Sequence, residues 1–426
     1  MHTYVLEIIV DFLELFLFFI GTYYVVCGVF SFVKRNDVLR QDFRTNRFAV
    51  IIPAHNEGAV LGQLLSSISA SRYPKNKYDV FVVADDCSDN TAAVARSYGA
   101  RVLVKRTGNN NKSSAVSYAV EHIKSLREEY DCIAVFDADN TVHMDCIMRM
   151  NEMLNCGYSA VQGYVDSKNP NENWLTAAYS VWHTLESRLA KMSCHNLGIG
   201  CKISGTGYAV RFDVVKRCMP SDDCLAEDLE YTVRLRLMGI KVAFAKKAVV
   251  YDEKPAEFGK SVKQRIRWAQ GVVDVQGRYG GLLLKKGKII DWLSLYGDFL
   301  GQFCYGVFLV ISIFSTISIL FGYQFVLCSL WVRPVCYVAL NLYLGIGALS
   351  AFAGLILENK LSRKTIFNLF GFLLYIVSWI PIGIVGIFKH NKKEWYHTEH
   401  TGSDVCSSDL AEVILIKIIL FCDRFV

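Results

Sequence analysis

Asp137-Ala138-Asp139 stands at the end of the apolar run CIAVFD, residues 132–137. Two carboxylates two residues apart on a turn can converge on one divalent cation. Their hard oxygens suit Mg2+ or Mn2+, which would bridge a diphosphate and neutralise a departing phosphate. Glu227 and Asp228 open a helical pattern that ends at Gly239. Asp228 has the chemistry of a general base, although acids in a first helical turn also simply meet the helix dipole. Gln264, Arg267 and Trp268 are spaced i, i+3 and i+4, so they share one helical face. Arg267 can pair with a diphosphate, and Trp268 offers a flat surface for a sugar ring. A basic amphipathic helix would look the same from sequence.

These groups need a scaffold that brings them together. The runs 47–53, 79–84, 101–105 and 132–137 are short, apolar and β-branched, and helical patterns at 58–69, 91–98 and 112–127 separate them. Such alternation predicts a parallel sheet with helices on both faces, and ligands of such sheets sit at the C-terminal strand edge. Polar residues collect at that edge: His55, Asn56 and Glu57 after the first strand, and Asp85, Asp86, Ser88 and Asp89 after the second. Neither GxGxxG nor GxxxxGK[ST] follows the first strand, so neither a dinucleotide fold nor a P-loop is indicated.

Of 426 residues, 52% are hydrophobic and only 20% charged. That is too apolar for an ordinary soluble enzyme, and it excludes disorder, collagen and coiled coil. The net charge of +6 comes without a Lys/Arg block, which fits loops at an anionic membrane better than a nucleic-acid groove. The 14 cysteines are scattered and form no CxxC, so they read as reduced, buried small hydrophobes. No secretory signal is convincing. Residues 12–33 are long enough to span a bilayer, and Lys34, Arg35, Arg40, Arg44 and Arg47 follow, placing the next segment in the cytosol. The runs 299–332, 335–357 and 366–388 also qualify as spans. Trp292 and Tyr296, just after Lys285, Lys286 and Lys288, predict a helix lying on the inner leaflet. Residues 172–192 place Leu175, Tyr179, Trp182, Leu185 and Leu189 on one face, as in a packing or membrane-lying helix. The expected organisation is a membrane helix over 1–35, a cytosolic catalytic domain over 36–280, and interfacial and membrane helices over 281–400. The segment SDVCSSDL, 403–410, reads as a foreign sequencing-adapter frame, so 401–426 is set apart as a non-native tail.

Taken together, the diacid after the second strand, the DxD, the Glu-Asp pair and QxxRW resemble, in order and spacing, the family 2 inverting glycosyltransferases of the GT-A fold. The resemblance is to their membrane-integrated branch, which includes cellulose, chitin, hyaluronan and poly-N-acetylglucosamine synthases and ceramide glucosyltransferase. It covers roughly 48–270, and the flanking membrane segments more loosely. It implies a Rossmann-like α/β domain inserted between transmembrane helices, in a multi-pass protein of the plasma membrane whose catalytic domain is cytosolic. It implies that Pro53, His55, Asn56, Glu57 and Asp86 bind a uridine. Asp137 and Asp139 would hold the diphosphate and a Mg2+ or Mn2+ ion. Asp228, beside Glu227, would be the catalytic base, and Gln264, Arg267 and Trp268 would close over the diphosphate and acceptor end. Gly205-Thr206-Gly207 sits where the family has a small-residue turn near the acceptor, although an ordinary loop reads the same.

Two departures from the family pattern stand out. Asn109-Asn110-Asn111-Lys112-Ser113-Ser114 replaces the frequent Gly-Lys-Ala, with Lys112 as the remaining phosphate contact. Ala226 precedes the Glu-Asp pair where threonine is commoner. Trp395 to His400 loosely matches the gating loop of processive synthases and equally a juxtamembrane tail. The expected activity is transfer from a UDP-sugar to a growing β-linked polysaccharide. A lipid acceptor for a single sugar is the alternative. A catalytically inactive nucleotide-sugar-binding subunit, or a transporter, is the reading from another class, against which the intact Asp228 and DxD acids argue. Membrane lipids are expected partners; nucleic acid is not.

Overall fold

The computed structural model describes residues 22–23, 25–33, 35–39, 43–106, 108, 111–219, 224–296, 306, 310, 317, 333–361 and 363–390. Half of 12–33, most of 299–332 and everything from 391 on, including the segment at 395–400, lie outside them.

Among the described residues one sheet holds β1 (Phe48–Ala54), β2 (Tyr78–Asp85), β3 (Arg101–Lys105), β4 (Cys132–Val135), β5 (Thr141–Val142), β6 (Ala160–Ser167), β7 (Tyr208–Arg211) and β8 (Val242–Asp252). Their order is β3-β2-β1-β4-β7-β6-β8-β5. The four strands expected from sequence are present and pair in parallel around β1. Beyond them the sheet is mixed: β7 runs antiparallel between β4 and β6, while β6 and β8 pair in parallel. The sheet is therefore mostly, not wholly, parallel. Sequence missed its second half because β5 and β7 are too short to show a period, and β6 carries Gln162, Asp166 and Ser167 among its apolar residues.

The helices that matter here are α1 (Leu61–Ser69), α2 (Thr91–Ser97), α3 (Lys112–Ser125), α4 (Cys146–Asn155), α5 (Trp174–Leu185), α6 (Glu227–Leu237) and α7 (Phe258–Val275). Helix starts are chemically marked. The Asn111 side chain accepts from the Ser114 N–H at 2.7 Å and opens α3. Asn173 caps α5, accepting from Leu175 and Thr176, while Thr176 Oγ1 accepts the Asn173 N–H. Gly239, at φ 78°, ends the turn after α6 as its position in the sequence predicts. Two buried clusters cover the two sheet faces: one joins Ile51, Phe81 and Val135 to Val120 and Ile123 of α3, the other Val50, Ile52 and Ala134 to Leu64 of α1 and Met150 of α4.

The C-terminal region supplies α8 (Arg333–Leu357), α9 (Arg363–Val377) and α10 (Trp379–Lys389). Among the described residues one helix, Gly371–Lys389, is long and apolar enough to cross a membrane. The apolar face of α5 meets it: Leu175, Tyr179 and Leu185 share a buried cluster with Phe372, Tyr375, Ile376, Trp379 and Ile382. This bears out a packing role for residues 172–192. The segment holding Trp292 and Tyr296 packs one face on the domain and leaves Ile289 and Ile290 57% and 56% exposed. Leu295 and Tyr296 are buried against Leu229, Val233, Val275 and Leu283, because this face is needed to cover α6 and α7. Nine cysteines among the described residues are free thiols.

Candidate active site

The C-terminal ends of β1, β2 and β4 meet at one rim. After β1, His55 Nδ1 donates to the Asp85 carbonyl at 2.6 Å, and the Glu57 N–H donates to Thr91 Oγ1 at 2.9 Å. Asn56, at φ 55°, accepts on Oδ1 from the Ser88 N–H and Oγ and the Asp89 N–H. This side chain thereby ties the first loop to the second. After β2 the two acids diverge. Asp85 turns inward to a buried pair with Lys105 (2.7 Å), while Asp86, at φ 45°, accepts from the Gly108 N–H at 3.0 Å. An αL conformation suits Asn and Asp, whose short polar side chains bond locally.

After β4 the Asp137-Ala138-Asp139 turn is locked by a polar network. The Asp137 N–H donates to Thr206 Oγ1 at 3.0 Å, and Thr206 donates to Asn140 Oδ1. Asn140 Nδ2 donates to Asp139 Oδ1 (3.1 Å) and to Asp252 Oδ1 (2.9 Å). Lys168 Nζ donates to the Asp139 carbonyl at 3.0 Å. Gly205 and Gly207 flank Thr206 at φ 76° and 65°. A Cβ on Gly207 would lie 2.8 Å from Val250, so its hydrogen side chain lets the turn seat on β8.

The helices complete the wall. Glu227 and Asp228 stand at the start of α6, and Gln264, Arg267 and Trp268 on α7. Tyr179 of α5 donates to Gln264 Oε1 at 3.3 Å. Trp268 stacks with Trp379 of α10, ring centroids 6.5 Å apart. The result is one cavity of about 400 Å³. It brings together Pro53, His55, Glu57, Lys112, Asp137, Asp139, Gly205, Thr206, Glu227, Asp228, Gln264, Arg267 and Trp268. Asn56, Asp86 and Gly207 do not line it: the first two fasten loops and the third packs on Val250.

The field inside is strongly structured. Lys112 pairs with Asp137. Burial works to lower the Lys112 pKa, but Asp137, Glu227 and Asp228 outweigh it and raise it. Glu227 is pushed up to about 7, first by burial and then by the charge of Asp228. Burial also raises Asp228, against its hydrogen bond from the Leu229 N–H (2.8 Å) and the fields of Lys112 and Lys202. Burial lowers Arg267, opposed by Glu227, Asp228 and Asp137. A divalent cation fits the DxD turn by donor chemistry: Asp137 and Asp139 are hard oxygen donors lining one cavity, and Asp137 already holds a cation, the Lys112 ammonium. Among the described residues there is no group of three or more metal-ligating side chains.

Several wall residues escaped the sequence reading. His183, Glu186 and Lys202 line the cavity at the α5 end. Burial works to raise the Glu186 pKa, but Lys191 and Lys202 outweigh it and hold the carboxyl well below its ordinary range; burial pushes His183 down to about 4. These residues sit where α5 passes into a π-helical turn, Glu186–Lys191, which no periodicity announces. Trp379 lies too far along the chain for any motif spacing to include it. Asn140 had a signal, its place directly after the DxD.

The model of the family "Glycosyltransferase like family 2" matches residues 46–271. The chain is 25% identical over 378 residues to "Probable glycosyltransferase YdaM" of Bacillus subtilis, covering 83% of this chain and 86% of that one. It is 26% identical over 243 residues to the beta-monoglucosyldiacylglycerol synthase of Trichormus variabilis, spanning 56% of this chain and 51% of that enzyme. It is 24% identical over 323 residues to the poly-beta-1,6-N-acetyl-D-glucosamine synthase of Staphylococcus epidermidis, spanning 71% and 76%. Among solved structures, the mannosyltransferase PcManGT from Pyrobaculum calidifontis, in complex with GDP-Man and Mn2+, superposes with a TM-score of 0.58 at 17% identity. The superposition covers 91% of this chain and 100% of that one, a likeness of fold. With half the chain matched by the family model, on the sheet and cavity described above, the protein is a member of glycosyltransferase family 2 with a GT-A-like α/β domain.

Proposed function

We propose that this protein is an inverting transferase that moves a sugar from a UDP-sugar to a growing β-linked polysaccharide at the membrane. The observation that carries the reading is one cavity lined together by Asp228, Lys112, Asp137 and Arg267 and by Trp268 and Trp379. Asp228 takes the proton of the acceptor hydroxyl. That oxygen forms a bond to C1 as the bond from C1 to the phosphate oxygen breaks on the opposite face. The electron pair leaves with the nucleotide diphosphate, which Arg267 and Lys112 stabilise. Asp137 and Asp139 would hold a Mg2+ or Mn2+ ion, which supplies further neutralisation of the diphosphate. A single displacement needs no enzyme nucleophile. Pro53, His55 and Glu57 line the donor end, and Asn56 and Asp86 keep its loops in place. Trp268 receives the acceptor ring.

Transfer of one sugar to a lipid is the second reading. The Trichormus variabilis relative named beta-monoglucosyldiacylglycerol synthase favours it, as does the contribution of Trp379 of the apolar helix α10 to the cavity wall. Membranes bearing wild-type protein or Asp228→Asn, incubated with a panel of UDP-sugars, separate the readings by product size. A long polymer lost in the variant supports the first. A single glycolipid supports the second. Equal products from both proteins would remove Asp228 from the mechanism.

A further inference from the structure

Part of the cavity wall takes no part in the transfer step. Tyr179, Trp182, His183 and Glu186 are spaced i, i+3, i+4 and i+7 along α5 and the start of its π-helical turn, and all four line the cavity. Lys202, on the loop that leads to Gly205, lines it beside them. Its backbone is fixed on both sides: the Cys201 N–H donates to the Val242 carbonyl at 2.9 Å, and the Ile203 N–H to Thr232 Oγ1 at 3.0 Å. Tyr179 connects this stripe to Trp268. Its ring meets Trp268 edge-on at 6.4 Å between centroids and stacks with His183 at 6.4 Å. Lys202 in turn extends its field to Asp228. The stripe is therefore the next part of the wall after the residues that receive the reacting end of the acceptor.

Glu186 is the centre of this part. It is 9% exposed, and its carboxylate has Lys202 at 3.3 Å, Lys191 at 3.5 Å and His183 Nδ1 at 3.6 Å. Charge-assisted hydrogen bonds are shorter, ~2.7–2.9 Å, so these neighbours balance the charge without saturating the oxygens. Behind Glu186, neither ring nitrogen of His183 nor the Lys191 ammonium has a hydrogen-bond partner. A polar network that served structure alone would satisfy its members. Here a carboxylate with spare lone pairs is presented to a cavity, next to an ammonium and to the half-buried indole of Trp182. An acyl chain laid against Glu186 and Lys202 would desolvate both and return no hydrogen bond. A sugar ring returns them: it offers an apolar face to Trp182, and each hydroxyl can donate to Glu186 and accept from Lys202.

We propose, resting on the polymer reading given above, that Trp182, Glu186 and Lys202 form a subsite for the second sugar ring of the acceptor, counted from the hydroxyl that reacts. The favoured acceptor is then a glycan of two or more units, in preference to a single sugar or a lipid hydroxyl. Trp268 takes the first ring and the α5 stripe takes the second. The subsite selects the acceptor and leaves the donor to the sheet edge.

The test uses full-length protein in lipid nanodiscs with the UDP-sugar it turns over. The acceptors are alkyl glycosides of one, two or three units of that sugar in each common β linkage, and diacylglycerol in the same lipid. In the linkage used, kcat/KM should rise at least ~10-fold from one unit to two, as hydroxyl hydrogen bonds to charged groups allow, mainly through KM. The step from two units to three should be small. Glu186→Gln should bring the ratio of two units to one close to unity, and Trp182→Ala should do the same through loss of the ring face. The ratio is read within each protein, so an unfolded fraction cancels. Equal kcat/KM for one and two units in the wild type would overturn the subsite and leave the polymer reading standing. An unchanged ratio in both variants would do the same. Transfer to diacylglycerol alone would overturn the polymer reading and the subsite with it.

Discussion

The proposed donor end and the proposed acceptor end of the cavity are built by different physics. At the donor end, β1, β2 and β4 deliver short loops whose groups bond to one another. Asn56 holds Ser88 and Asp89, His55 holds Asp85, and Thr206 and Asn140 hold the DxD turn. At the acceptor end the wall is made of side chains on α5, α7 and α10, placed by apolar packing among Tyr179, Trp268, Tyr375 and Trp379. The first is a property of a sheet edge and belongs to the domain. The second needs the C-terminal segment. Perturbations should therefore divide by end, and Glu227 and Asp228, where the ends meet, should not.

The largest effect is expected at the junction. Asp228→Asn keeps shape but cannot take a proton, so sugar transfer should fall by at least ~10²-fold. Donor binding, followed by equilibrium titration with the UDP-sugar, should persist. Near-normal turnover would exclude Asp228 as the base.

At the donor end, chelation is the next strongest perturbation. EDTA should stop turnover and added Mn2+ or Mg2+ restore it, because Asp137 and Asp139 would hold the ion against the diphosphate. Full activity in excess chelator would leave the neutralisation to cavity cations such as Lys112 and Arg267.

At the acceptor end, Arg265→Met removes the buried tie between α7 and the break before Trp379, where Arg265 donates to the Tyr375 carbonyl and Ser378 Oγ and lies over the Tyr375 ring. The lost hydrogen bonds and cation–π contact point to a loss of about 2–4 kcal/mol, read as a lower Tm. Transfer should fall while donor affinity holds. An equal fall in donor affinity would collapse the distinction between the two ends.

The same division explains what the sequence discloses. The donor end was legible because its residues follow the strands directly: 53–57, 85–86 and 137–139 each sit within a few residues of a β-branched run. The Glu-Asp pair and QxxRW were legible because helix periodicity fixes which residues share a face. The rest of the acceptor end was not. Trp379 is brought to Trp268 by packing of apolar helices, which leaves no fixed spacing, and His183 and Glu186 adjoin a π-helical turn that breaks the period on which such readings depend. Asp85 and Asp86 look equivalent in sequence, and only Lys105, at the end of the next strand, sends one of them inward. The antiparallel entry of β7 was hidden in four residues.

The smallest expected effect tests the junction by pH. The Glu227 carboxyl is raised to about 7 in the folded protein, from an ordinary 4.5, by burial and by Asp228. Between those two values the folded state keeps a proton that the unfolded chain has released. Stability from this group is thus fully present below about pH 4.5 and is lost as pH rises through 7. Gln at this position keeps the size and cannot titrate. Thermal midpoints of the wild type should therefore fall between pH 5 and pH 8 by more than those of Glu227→Gln, and the variant should gain relative stability at the higher pH. Parallel pH profiles would mean that Glu227 shares no buried field with Asp228. Glu227 would then be ionised at neutral pH, and the junction would carry two carboxylates beside Lys112 and Arg267 rather than one carboxylate and a shared proton.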